Sequence, residues 1–309
     1  MGNSFWLSWE PGFIVFLQSK VTPVIQKIFE GLTFFGDVYA LIIIIGFLYW
    51  GYKKELGKKI GIYAVGALVV SISLNNIIKR RRPYFDHSDI KCLKPRSNEG
   101  DIYDPVVQGY SFPSGHAIDS ISTYGVLGVN TKNKLLRTLL FIFIVLIGLS
   151  RSVLGVHYPT DVLAGWLISS LTIYIISKIK NINVVYAIIL TLGVIGCFFN
   201  RSTDYFSTLG IAFGFIAGFI YEEKYINFKN TKNVFRMILR TIGGLIVFVV
   251  LDTALKLPFS ETFLASNTMA AFLIRSLRYA VVSFVLIGVY PRLFCFIDNK
   301  IKERNTKNK

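Results

Sequence analysis

The chain has 309 residues, 53% of them hydrophobic and 15% aromatic, which excludes an ordinary soluble globular domain. Its formal net charge of +16 would suit a polyanion, but the lysines sit in alternate loops between apolar runs, which argues against nucleic acid as a partner. The three cysteines, Cys92, Cys197 and Cys295, offer neither a disulfide framework nor a metal-ligand spacing, so free thiols are expected.

Residues 1–33 lack the basic start and clean apolar core of a cleaved signal, and Trp6 stands where a myristoylation site needs Ser or Thr. Val21 to Phe35 is amphipathic and is expected to lie at the membrane interface or to re-enter. About nine apolar runs follow, near 34–52, 59–78, 116–130, 138–155, 160–177, 183–199, 206–221, 235–256 and 270–294. The third is short and carries Asp119, Ser120, Ser122 and Thr123, so it belongs inside a bundle rather than against lipid. No internal repeat or flexible linker interrupts the pattern. The expectation is an all-α polytopic bundle of about nine spans, a single integral membrane domain over 1–309. Its catalytic core would cover 34–178, with additional C-terminal spans over 183–294.

Loop charge sets the expected orientation. Lys53, Lys54, Lys58 and Lys59 fill one loop, Lys132, Lys134 and Arg137 another, and Lys178 and Lys180 a third. Lys224, Lys229, Lys232 and Arg236 follow, and the tail carries Lys300, Lys302, Arg304, Lys307 and Lys309. With nine spans these loops share one side, which the positive-inside pattern makes cytoplasmic. The N-terminus is then outside, the C-terminus inside, and anionic lipid headgroups are the partners of these lysines. The Lys79, Arg80, Arg81 and Arg82 cluster breaks the rule at the outer end of the second span. Bound phosphate would offset it; so would Asp86, Asp89, Glu99, Asp101 and Asp104 in the same loop.

Three polar islands fall in the opposite loops: Arg82-Pro83, Pro113-Ser114-Gly115-His116, and Ser150-Arg151 followed by His157 and Asp161. Pro159 suits the first turn of a helix, and Asp161 then sits where a negative charge is favoured. A carboxylate bonded to one nitrogen of His157 would fix the tautomer and leave the other nitrogen to attack. An interfacial histidine beside a capping aspartate is the plainer reading. Pro113 likewise starts a helix, where Ser114 and the Gly115 backbone suit an oxyanion and His116 is placed to protonate a leaving oxygen. An ordinary helix start explains the same residues. Arg82 and Arg151 supply planar guanidinium forks that match phosphate geometry. Phosphoryl transfer mainly needs such positioning and charge neutralisation. No carboxylate cluster suited to a metal is visible near the islands, and no cofactor is implied.

The stretches RRRPYF, YSFPSGHA and SRSVLGVHYPTD resemble the three signatures of the type 2 phosphatidic acid phosphatase superfamily, over about residues 70–165. The resemblance implies that His157 is the nucleophile, Asp161 its orienter and His116 the general acid. It implies that Arg82, Arg151, Ser114 and Gly115 form the phosphate cradle. Nine spans would also resemble the layout of the glucose-6-phosphatase and sphingosine-phosphate phosphatase branch. One position departs: where the first signature begins with a lysine, this chain has Asn75. If the helix continues to Arg82, positions 75, 79 and 82 share a face, so Lys79 is expected to take over the phosphate contact. Arg80 and Arg81 would then point elsewhere. The alternative is a site that is weakened or handles a different substrate.

These readings lead to a metal-independent phosphatase acting on a lipid phosphate or diphosphate through a phosphohistidine. The lipid would be an isoprenyl diphosphate, or a sphingoid or glycerolipid phosphate. Its site would face outward, and the richness in Lys, Ile and Asn points to a bacterial plasma membrane. A sugar-phosphate phosphatase of the same fold is the alternative enzyme. Arg240, Asp252, Lys256, Arg275 and Arg278 in apolar runs keep open a non-catalytic lipid-binding or transport protein, unless they pair between the last two spans.

Overall fold

Sixteen α-helices, in a computed structural model that describes residues 2–97 and 100–307, account for the apolar runs. Asn98, Glu99 and Lys309 lie outside the described residues, and so do the side chains of Lys302, Arg304 and Lys307. In chain order the helices are α1 Glu10–Ser19, α2 Pro23–Phe34, α3 Val38–Gly46, α4 Lys54–Ile78, α5 Pro83–Asp86, α6 Pro105–Gln108, α7 Gly115–Ser120 and α8 Val126–Asn130. Then follow α9 Lys134–Val153, α10 Pro159–Lys178, α11 Ile182–Gly196, α12 Thr203–Tyr225, α13 Val234–Ala254, α14 Glu261–Ala265, α15 Met269–Phe284 and α16 Arg292–Lys307. Wider π-helical turns extend α3 over Phe47–Tyr52, join α7 to α8 over Ile121–Gly125 and extend α15 over Val285–Val289. Local capping chemistry starts many of them. Thr22, Asn133, Ser202, Asn233 and Thr268 each accept a hydrogen bond from a backbone N–H in the first turn that follows.

The span count differs from the expected nine. Among the described residues six helical runs are long and apolar enough to cross a bilayer: α4, α9, α10, α12, α13 and Met269–Lys300. The pair Pro23–Phe34 and Val38–Tyr52, bent by 51°, makes a seventh if it is one span. Helix α11 has 15 residues, about 22 Å of rise against roughly 30 Å of hydrocarbon. The 115–130 run carries Asp119 and changes helical type along its length. Parity of the count decides whether the termini share a side, so orientation rests on loop charge alone.

Two compact units divide the chain, Met1–Leu41 with Gly66–Lys180, and Ile42–Val65 with Asn181–Lys309. The first holds all three polar islands. At its centre the 115–130 run packs on α9 and α10, and Asp119, Ser120, Ser122 and Thr123 are all buried. Ser169 Oγ lies 2.9 Å from Ser122 Oγ and donates to the Ile118 carbonyl at 3.1 Å. A second cluster forms from Ile14 of α1 with Tyr84, Ile90, Leu154, Val156 and Tyr158. It lies among the loops that carry the islands. Each such apolar side chain stabilises by about 1.5–3 kcal/mol on full burial.

In the second unit α12 meets α15 along Gly210, Gly214 and Gly218, where a Cβ would stand 2.1 Å from the Ser276 carbonyl, 2.2 Å from the Ala280 carbonyl and 2.9 Å from Ile287 Cβ. Small residues four apart let the helix backbones touch. Charges in this unit are paired. Glu222 meets Lys54 at 2.6 Å, Arg240 meets Asp298 at 3.0 Å, and Asp252 holds both Arg278 at 3.1 Å and Lys256 at 2.5 Å. Arg275 donates to the Leu264 carbonyl at 3.2 Å.

Candidate active site

The first island is shaped by where α4 stops. Lys79 takes a left-handed conformation, φ +52°, and its N–H donates to the Asn75 carbonyl at 2.9 Å, closing the helix. The chain then runs extended beside the N-terminal segment: Asn3 N–H donates to the Lys79 carbonyl at 2.8 Å, and Arg81 N–H to the Asn3 carbonyl at 2.9 Å. Positions 75, 79 and 82 therefore do not share a helical face. The Lys79 side chain is exposed, whereas Arg82 is buried, so the expected substitution of Lys79 for the missing lysine loses its premise. Asn75 serves the site in another way. Its amide donates to the carbonyls of Tyr110 and Phe112, at 3.1 and 3.0 Å, and so holds the backbone that leads into Pro113.

Arg80 and Arg81 part company. Arg81 reaches Asp86 at 3.3 Å on the partly exposed side, as the expectation required. Arg80 does not point elsewhere: it is 2% exposed and its Nη1 donates to Asp161 Oδ1 at 2.7 Å. Its buried charge is compensated by two carboxylates, Glu10 and Asp161, on the inner side.

The third island turns on Gly155. Its φ is +75°, and a Cβ there would stand 2.2 Å from the Lys91 carbonyl, so glycine alone fits between Arg151 and His157. The Arg151 carbonyl then accepts from both Val156 N–H and His157 N–H, at 3.1 and 3.3 Å. His157 is 4% exposed. Its Nδ1 lies 2.7 Å from the Ser111 main-chain carbonyl but 3.6 Å from Asp161 Oδ2. Asp161 is thus not the direct hydrogen-bond partner that the spacing suggests. Ser111 stands between them, its hydroxyl bonded to Asp161 Oδ2 and 3.4 Å from Nδ1. A carbonyl can only accept, so Nδ1 carries the proton and Nε2 presents its lone pair. Asp161 also accepts from Tyr158 N–H at 2.8 Å, the first-turn role expected beside Pro159.

Burial pushes the His157 imidazole down to about 4, and the charges of Arg82 and Arg151 push the same way. The ring is neutral at pH 7. Arg82 is fixed by three carbonyls: Nε donates to Gln108 at 3.0 Å and Gly109 at 3.1 Å, and Nη1 donates to Val156 at 2.9 Å. Among the described residues its Nη2 makes no hydrogen bond. Burial lowers its pKa to about 10, which leaves it charged. Arg151 is buried, with Nη1 on the Thr33 hydroxyl. Its Nε and the Ser114 Oγ are buried with no partner among the described residues. Ser114 N–H is used by the Asp161 carbonyl at 3.0 Å, so the amides left at the helix start are those of Gly115, His116 and Ala117. The space in front of Gly115 is open, since a Cβ there would meet nothing within 4 Å. His116 is half-buried, and a Cβ on Gly36 would come within 3.0 Å of its own Cβ. The third histidine, His87, packs edge-on against Trp6 and Tyr158.

The islands are therefore tied to one another through main-chain carbonyls: Arg82 to Val156, Ser111 to His157, Asn75 to Tyr110 and Phe112. Ser111 and Arg80 are the residues that sequence reasoning missed. Ser111 acts through its backbone, which no residue type announces, and Arg80 looked like one more member of a basic cluster. The cysteines are free thiols.

Residues 58–185 match the family model described as PAP2 superfamily, and residues 206–304 match that of the PAP2 superfamily phosphatase transmembrane extension. An undecaprenyl-diphosphatase of Sulfolobus acidocaldarius is 34% identical over 128 residues, 40% of this chain and 57% of that protein. A phosphatidylglycerophosphatase B of Bacillus subtilis is 27% identical over 176 residues, 52% of this chain and 79% of that protein. The chain thus spans little more than half the length of the first of these relatives. The crystal structure of the first transmembrane PAP2 type phosphatidylglycerolphosphate phosphatase from Bacillus subtilis covers 55% of this chain and 86% of its own, at 24% identity and a TM-score of 0.42, too low to carry an argument. The first matched stretch contains all three polar islands and the second the helices that follow them, and the chain belongs to the PAP2 superfamily.

Proposed function

We propose that this protein is a metal-independent membrane phosphatase that hydrolyses a lipid phosphate or diphosphate through a phosphohistidine. The observation that carries the reading is the Ser111 carbonyl on His157 Nδ1, which leaves a neutral Nε2 as nucleophile. In the first step Nε2 bonds to phosphorus and the bond to the lipid oxygen breaks. The leaving oxygen takes a proton from His116. In the second step water attacks phosphorus, His116 takes its proton, and the P–N bond breaks to release inorganic phosphate. From a diphosphate the first leaving group is the lipid monophosphate. Charge on the equatorial oxygens is met by Arg82, Arg151, the Gly115 and His116 amides and the Ser114 hydroxyl, a preorganised set in low dielectric. The unpaired Arg151 Nε and Ser114 Oγ support this role. Asp161 supports the positive charge that His157 acquires. Lys79 stands outside this set.

A lipid substrate is supported by the names of two relatives, an undecaprenyl-diphosphatase and a phosphatidylglycerophosphatase B, and by the apolar helices that flank the site. Catalysis would lie in residues 34–178, with the helices over 183–294 additional to it. With the 115–130 and 182–196 helices also crossing, the lysine-rich loops support an outward site and an external N-terminus, and the richness in Lys, Ile and Asn supports a bacterial plasma membrane location. The transport reading is weakened, because four of its five intramembrane charges, Arg240, Asp252, Lys256 and Arg278, are in ion pairs and Arg275 donates to the Leu264 carbonyl. The test is phosphate release by purified protein from a panel of isoprenyl diphosphate, phosphatidic acid, phosphatidylglycerophosphate, sphingoid phosphate and glucose 6-phosphate, with EDTA present. Turnover of a lipid member in EDTA is the expected result. Release from the sugar phosphate alone, or none without added metal, would reject the proposal.

A further inference from the structure

We infer that the N-terminal segment is a working part of the active site, with Glu10 and Arg80 acting as positioning residues that hold Asp161 in place and charged. This rests on the phosphohistidine reading above and names residues to which that reading gives no role. Glu10 lies outside both stretches matched by the family models, and Arg80 is separated from it by 70 positions in the chain.

The contacts form one buried chain. Glu10, on α1, is 0% exposed. Its Oε2 accepts from Arg80 Nη2 and from Leu7 N–H, both at 2.8 Å. Its Oε1 accepts from the Thr160 hydroxyl at 2.6 Å and from Thr160 N–H at 3.0 Å. Arg80 in turn donates from Nε to the Phe5 carbonyl at 2.9 Å, and from Nη1 to the Thr160 hydroxyl and Asp161 Oδ1, each at 2.7 Å. Its guanidinium lies 4.0 Å from the Tyr158 ring centroid and 4.9 Å from that of Phe5. The planar fork is thus held by two acids, two aromatic faces and a hydroxyl, so it has little freedom to serve a phosphate.

The chemistry follows from charge. Asp161 is fully buried beside a histidine that becomes cationic when it bonds to phosphorus. An unpaired carboxylate there would be costly, and its least costly escape would be protonation, which removes the support for the cation. Arg80 keeps Oδ1 occupied by a positive donor and directs Oδ2 toward Ser111, Tyr158 and His157. Glu10 offsets the second positive charge that Arg80 would otherwise bring, and fixes its plane. Arg82, by contrast, is held only by neutral carbonyls and keeps its charge for the ligand.

The experiment compares Arg80→Lys and Glu10→Gln, alone and combined with Asp161→Asn, in full-length protein in detergent. The readouts are kcat and KM on the best lipid of the panel, and inhibition by orthovanadate. Arg80→Lys should lower kcat about 10- to 100-fold, the range for a charge-assisted hydrogen bond lost from a buried carboxylate. KM and vanadate inhibition should stay within about threefold, because the phosphate cradle is untouched. Glu10→Gln should act in the same direction and less strongly. In the Asp161→Asn background both should cost less than about threefold, the non-additivity of residues acting through one carboxylate. Losses that add in that background, or vanadate binding lost in step with kcat, would overturn the proposal. If Arg80→Lys does not fold, Glu10→Gln carries the same test, since it keeps the side-chain volume; failure of both to fold would mean a purely structural clamp and would also overturn it. His157→Ala separates the two levels. If it stays active, the phosphohistidine reading has failed; if it is dead while Arg80→Lys and Glu10→Gln are silent, only this inference has failed.

Discussion

The main-chain carbonyl of Ser111 lies 2.7 Å from Nδ1 of His157, nearer than the Asp161 carboxylate at 3.6 Å. A backbone atom therefore sets the tautomer, and the carboxylate is left with an electrostatic task. Asp161→Asn should then lower kcat by roughly 10- to 1,000-fold, short of the ~10⁴ seen where an aspartate alone sets the tautomer. Ser111→Ala keeps the carbonyl and should cost about tenfold, one hydrogen bond to a charged carboxylate. Steady-state kinetics decide, and an Asp161→Asn loss as deep as that of His157→Ala would restore Asp161 as the direct orienter.

His157→Ala should abolish turnover, a loss of up to about a million-fold for a removed nucleophile, while vanadate still binds to the remaining cradle. Rapid-quench labelling with a radioactive phospholipid should trap an acid-labile, base-stable phosphoenzyme in the wild type and none in the variant.

The acidity of His157 predicts the pH profile. Its pKa is lowered from 6.5 to about 4 by burial, and the reactive form is the neutral one. The ring is fully competent above that value and is lost to protonation as pH falls through it. The acid limb of kcat/KM that His157 sets should therefore lie near pH 4. An acid limb near 6.5 that follows the His157 proton in ring-nitrogen NMR would contradict the burial argument.

Lys79 and Asn75 should behave in the reverse order from that expected of a displaced phosphate lysine. Lys79→Ala removes an exposed side chain and should leave turnover within about threefold. Asn75→Ala frees the Tyr110 and Phe112 carbonyls and should cost about tenfold, since two partly buried acceptors lose their donor. Equal losses at the two positions would return Lys79 to the site.

Orientation can be read by cysteine labelling in intact cells after Cys92 is replaced by serine. Asn98→Cys should react with an impermeant maleimide and Lys132→Cys should not, because loops rich in lysine are retained inside and the buried 115–130 helix would carry the chain across between the two positions. The opposite pattern would put the site in the cytoplasm.

Much of this protein was present in its sequence. Polar residues in an apolar chain are costly, so the islands at Arg82, Pro113 to His116 and Arg151 to Asp161 stood out, and all gather in one unit. Local rules also held where they are local: Pro159 and Asp161 open α10, and the run with Asp119 to Thr123 is buried. The span count was less secure, because apolarity is a property of composition, whereas crossing a bilayer needs length, and the helices over 182–196 and 115–130 are short. Tertiary structure alone decided which basic residue does what. One left-handed residue at Lys79 ends α4, turns Lys79 outward and sends Arg80 and Arg82 in, and no periodicity contains that break. The partners of His157 and Asp161 were equally hidden. Ser111 contributes a carbonyl that every residue possesses, and Glu10 reaches Arg80 across 70 positions, so only the folded chain could bring them to His157 and Asp161.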